Sequence, residues 1–144
     1  MPKVREILVA RLKRLDCPFN GMSEGKLAEA WVRENLQACE PQGFLPETKP
    51  ELLAAGLYET ERTYTNEWNT GRIRALMDEG PDVWKPIEVG SDGHIYNGLH
   101  RSAAAILMGL TTIRGCFYHP GPMNATERWL VGLTDACPSF AMPA

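Results

Sequence analysis

Apolar residues Val4, Ile7, Leu8, Leu12 and Leu15 recur along the first sixteen positions at helical spacing, with charged residues between them. This pattern predicts an amphipathic helix that ends near Asp16, before Cys17-Pro18. Ser23 is the expected N-cap of a second helix from Glu24 to about Cys39, with Leu27, Trp31 and Val32 as its buried side and Pro41 and Gly43 closing it. The two are expected to pack as a helical hairpin. Residues 41–50 hold Pro41, Gly43, Pro46 and Pro50 and read as a connector, after which Pro50 to Gly56 suits a short helix. Tyr58 to Thr65 alternates and is rich in β-branched and aromatic residues, as a half-exposed strand would be.

A longer helix is expected from about Asn66 to Glu79, with Ile73, Leu76 and Met77 facing inward and Gly80-Pro81 as its stop. The period then shortens. Pro86 to Val89 reads as a strand, Ser91-Asp92-Gly93 as a turn and His94 to Tyr96 as the antiparallel partner. An alanine-rich helix follows from Gly98 to Met108, then a strand from Thr111 to Tyr118 and a helix from about Ala125 to Leu133. Three consecutive alanines let that central helix lie close to a sheet, so Ala103, Ala104, Ile106 and Leu107 are core candidates. The expectation is a single α+β domain over residues 1–144, in which a small mixed sheet packs on helices. Residues 1–57 form a helical N-terminal extension, 58–118 the core, and 119–144 a C-terminal helix and tail.

With 144 residues the chain is long enough for one domain with a proper core. Its net charge of −3 does not suit a protein that coats nucleic acid, yet the sign is uneven: residues 1–16 carry +3 and the rest −6. The basic first helix is therefore the expected contact if DNA is a partner. Cys17, Cys39, Cys116 and Cys137 are scattered, with no C-x-x-C pair and no histidine at zinc spacing, so no metal site is expected. No secretory pattern and no apolar run of about 20 residues is found, which gives the expectation of a cytoplasmic protein without a membrane span.

The candidate chemistry lies at the strand-to-helix junction Asn97-Gly98-Leu99-His100-Arg101-Ser102. Free N–H groups and the positive end of the helix dipole attract anions there, and Gly98 allows close approach to the backbone. His100 and Arg101 add donors suited to phosphate. Trp68, Trp84 and Tyr96 have faces on which a base could stack, although core packing is the commoner use of such rings.

The order strand, Asp92-Gly93 turn, strand, N-G-L-H-R, alanine-rich helix, Gly109-Leu110, strand resembles the ParB/sulfiredoxin-like superfamily over roughly residues 66–118. The resemblance implies ATP or ADP held at Gly98 to Arg101, assisted by Mg²⁺, with phosphoryl transfer or phosphoester hydrolysis as the chemistry. Sulfiredoxins carry their nucleophilic cysteine where this chain has Leu99, so repair of oxidised cysteine is not expected. Partition-type members have an arginine-rich turn and further DNA-reading and dimerisation domains, for which the 26 residues after Tyr118 leave no room. Free-serine kinases and small ParB-like nucleases carry D-G-H-H-R, and Asn97 stands where their acidic residue would be. Catalysis then needs another carboxylate, for which Glu59, Glu61 and Asp92 are the candidates, with His100 assisting. The alternatives are a DNA-binding or nuclease-type ParB-like protein and a non-catalytic binding module of phage or plasmid type.

Overall fold

The computed structural model describes residues 3–22, 27–43, 65–118 and 121–137. The expected cap at Ser23, the short helix over 50–56 and the strand over 58–64 lie outside them. The described chain is a mixed α+β fold with a four-stranded sheet and five helices. Its strands are β1 (Arg5–Leu8), β2 (Ile87–Val89), β3 (Ile95–Asn97) and β4 (Thr112–Phe117). Its helices are α1 (Val9–Leu15), α2 (Glu29–Asn35), α3 (Asn66–Glu79), α4 (Leu99–Leu107) and α5 (Ala125–Leu130). The sheet order is β1-β4-β2-β3, with β4 antiparallel to β1 and parallel to β2, and β3 antiparallel to β2.

The N-terminal segment departs from the expected hairpin. Arg5–Leu8 is a strand, paired residue for residue with Thr112–Gly115, and the helix begins only at Val9. Ile7 is fully buried opposite Ile113, while Val4, which a continuous helical stripe would bury, is 47% exposed. Four residues of alternating burial are too few to distinguish a period of 2 from one of 3.6, and pairing with β4 decides the outcome. The second helix is likewise shorter than expected, ending at Asn35 rather than near Cys39.

The remaining elements stop where their residues dictate. The Thr65 hydroxyl accepts from the Trp68 amide at 3.0 Å and starts α3, and Gly80, at φ +87°, ends it by donating its N–H to the Leu76 carbonyl. Asn124 and Glu127 form a reciprocal capping box at α5. The core gathers the inner face of the sheet (Ile7, Ile87, Val89, Ile95, Ile113, Phe117) against α4, whose Ala103, Ala104 and Ala105 are wholly buried. Such small side chains let α4 sit at the centre, packed on α1, α3, β4 and the Pro18–Gly21 turn. The outer face of the sheet carries Glu6, Glu88, Arg114 and Cys116, all partly or fully exposed. Near its β3 edge, Asp16 accepts the outward Ile95 N–H at 2.8 Å and meets His94 Nδ1 at 3.1 Å. The four cysteines form no disulfide among the described residues. No helix among the described residues is long and apolar enough to cross a membrane.

Candidate functional site at the N-terminus of α4

Gly98 is the N-cap of α4, with φ +108° and no side chain capping the helix. The first intrahelical bond runs from Ser102 N to Gly98 O, so the amides of Leu99, His100 and Arg101 take no partner within the helix. These amides and the aligned peptide dipoles make the terminus electropositive.

Two arginines, Arg72 on α3 and Arg101 on α4, add to that field, and His100 sits beside them. His100 Nε2 lies 2.7 Å from Asn69 Oδ1 on α3, and Asn69 Nδ2 donates to the Met22 carbonyl at 3.3 Å. Because Asn69 presents its oxygen to the ring, His100 Nε2 must carry the proton, which leaves Nδ1 with a lone pair. Trp68 meets the imidazole edge to face at 5.7 Å. Burial first, then the neighbouring Arg72 and Arg101, hold the His100 pKa down at about 4, well below the usual 6.5. Burial also lowers the pKa of Arg101; Arg72 adds to this, while Glu88 acts in the opposite direction. The site is thus one where positive charges crowd together and an anion would relieve them.

Both arginines are also braces. Arg101 donates to the carbonyls of Lys85 and Pro86 and, at 3.3 Å, to Asn97 Oδ1, tying the start of β2 to the end of β3. Arg72 donates to the carbonyls of Gln42 and Gly43. Its neighbour Arg74 holds those of Gln37 and Cys39, so residues 37–43 lie as a strap across α3.

The structure therefore brings Asn97, Gly98, His100 and Arg101 together. Leu99 instead packs inward over Gly21, and Ser102 is 2% exposed with its hydroxyl lacking a hydrogen-bond partner among the described residues. Of these two only Leu99 can serve the terminus, through its backbone amide, since the Ser102 amide already donates to Gly98 O. Asp92 sits in the β2–β3 turn, at the opposite end of the hairpin from Gly98, where its Oδ1 accepts from the His94 amide at 3.0 Å. It is not brought to the site. Glu59 and Glu61 lie outside the described residues. Asn69, Arg72 and Glu88 are the members that sequence reasoning missed. Asn69 carried a signal, since it falls on the Ile73–Leu76 stripe of α3 and is 2% exposed.

The basic N-terminal helix is largely engaged elsewhere. Arg11 donates to the carbonyls of Trp129 and Thr134, Lys13 pairs with Glu29 at 2.7 Å, and Arg11 and Arg14 both lie over the Trp129 ring.

His100 also sets a pH dependence. The unfolded chain takes up its proton near pH 6.5, whereas the folded chain resists until about pH 4. Stability is therefore fullest above pH 6.5 and declines as pH falls through this window, because the unfolded state binds more protons there. Urea midpoints measured from pH 7 to pH 4 should show this decline, and His100→Gln should flatten it. An unchanged slope in the variant would assign the acid sensitivity to other groups.

Comparison of the chain with protein-family models, curated proteins and solved structures returned no match.

Proposed function

We propose that the protein binds the phosphate groups of a nucleotide, ATP or ADP, at the N-terminus of α4, in the manner of ParB/sulfiredoxin-like domains. The observation that supports this reading best is the meeting of an uncapped helix terminus on Gly98 with the cations Arg72 and Arg101, which flank a neutral His100. Phosphate oxygens would accept from the Leu99, His100 and Arg101 amides and offset the repulsion between the guanidinium groups. Mg²⁺, where it takes part, would neutralise charge on the phosphates themselves; Asn97 Oδ1, already an acceptor for Arg101, is a poor ligand for it.

The reading extends to phosphoryl transfer or phosphoester hydrolysis. Leu99 supplies no nucleophile and Asn97 no base, so the chemistry would rest on electrostatic stabilisation by Arg101 and His100 and on a carboxylate from elsewhere. Glu88, which faces Arg101 and pairs in register with Asn97, is the described carboxylate in that region. A reduced, cytoplasmic setting suits four cysteines that form no disulfide among the described residues.

Calorimetric titration with ATP, ADP and CTP, with and without Mg²⁺, tests the proposal. Arg101→Ala and Arg72→Ala should each weaken binding by about tenfold or more, the effect of losing a charge-assisted hydrogen bond. If no nucleotide binds, or if folded Arg72→Ala binds as the parent does, the reading is wrong. The DNA alternative predicts instead an affinity that falls steeply with salt.

A further inference from the structure

Away from α4, the sheet ends in an aromatic corner. Tyr96 of β3 and Tyr118, just past β4, are 59% and 58% exposed, and their rings meet at 5.1 Å and 87°. With Gly90 and Ser91 they line an open depression of about 340 Å³. The Tyr96 ring lies against Gly90 so closely that a Cβ there would come within 2.4 Å of Cε2, and the His94 ring stands perpendicular to it with centroids 4.8 Å apart. Tyr96 is thus held by its neighbours although it is exposed.

Charge around the corner is negative. The Glu88 carboxylate lies beside the Tyr118 hydroxyl, and desolvation together with that carboxylate raises the phenol pKa. Asp92 reaches to the edge of Gly90. Among the described residues neither carboxylate is in a salt bridge, and no arginine or lysine lies over either tyrosine ring. Trp129 provides the contrast, since Arg11 and Arg14 cover it at 5.2 and 5.4 Å.

We infer that the Tyr96–Tyr118 corner binds a small organic cation, a guanidinium or alkylammonium group. An exposed ring face offers the negative side of its quadrupole, and the Glu88 carboxylate beside Tyr118, although it also faces Arg101, adds to that attraction. An uncharged apolar ligand would gain the contact area and none of the charge complementarity. The inference shares Glu88 with the reading at α4 and otherwise stands apart from it.

The full chain is titrated with tetramethylammonium and with arginine amide, each against its uncharged counterpart, tert-butanol and citrulline amide, while the tyrosine ring signals are followed by NMR. A short arginine-containing peptide forms a further arm. Both cations should shift the Tyr96 and Tyr118 resonances and bind more tightly than the neutral compounds by about fivefold or more, as cation–π attraction at partly exposed rings allows. Tyr96→Ala should abolish the effect, Tyr96→Phe should retain it, and Glu88→Gln should weaken it by about threefold or more, as expected for one partly screened charge. Tighter binding of the peptide than of arginine amide would place the cation on a protein partner; equal binding would point to a free amine or guanidine. Equal binding of charged and neutral compounds, or no ring shifts up to about 0.1 M ligand, where even weak contacts register, would overturn the inference.

Discussion

Gly98→Ala is expected to destabilise the protein by about 2–4 kcal/mol. At φ +108° a side chain is strained, at a cost of roughly 1–2 kcal/mol for an L-residue on the left-handed side. The added Cβ would also lie 2.4 Å from Ile87 Cγ2 and 2.9 Å from Ile87 Cβ, where Ile87 is wholly buried and cannot retreat. Overpacking of that kind costs about 1–3 kcal/mol. The alanine stiffens the unfolded chain by only about 0.4–1 kcal/mol, too little to offset either effect. Urea unfolding measures the sum. A loss below about 0.5 kcal/mol, the range of an ordinary surface substitution, would show that the strand-to-helix junction is not held in this conformation.

Gly71→Ala provides the second test, because two effects of opposite sign compete. In the interior of α3, alanine is favoured over glycine by about 1 kcal/mol on helix propensity alone. Yet its Cβ would fall 2.0 Å from the Glu40 carbonyl oxygen and 3.1 Å from the carbonyl carbon. Backbone, not a flexible side chain, is in the way. The strap over 37–43 must therefore lift, loosening the Gln42 N–Gly71 O bond of 3.0 Å and the carbonyl contacts of Arg72 and Arg74. Losing one neutral and one charge-assisted bond costs about 2–4 kcal/mol, so the net change is a destabilisation of roughly 1–3 kcal/mol. Amide exchange should rise over residues 37–43 before it rises in α4. An increase in thermal stability would mean that the strap does not cross α3 at Gly71.

The second half of the fold was legible because its boundaries are chemical. Gly80-Pro81, Asp92-Gly93 and Gly109 stop their elements by backbone constraint, and α3, the β2–β3 hairpin, α4 and β4 fall within a residue or two of expectation. The first half was not. R-E-I-L of β1 fits either period, and its partner β4 lies at the far end of the chain, where no local pattern can reveal it. The candidate site divides in the same way. Gly98, His100 and Arg101 are contiguous and could be read together, whereas Asn69 and Arg72 join them only through the crossing of α3 and α4. Leu99 and Ser102 belong to the same contiguous run, but of its side chains only those of Asn97, His100 and Arg101 meet at the helix end. The side chains of Leu99 and Ser102 point into the core.

The bond from Ile95 N to Asp16 has a bearing on self-association. Among the described residues β3 ends the sheet, and an open strand edge offers N–H and C=O groups on which another copy can add its own strand. Asp16 occupies the Ile95 donor at that edge and places a carboxylate where an incoming chain would have to lie. Concentrated solutions of Asp16→Ala should therefore form β-rich assemblies sooner than the parent, even where the monomer remains folded.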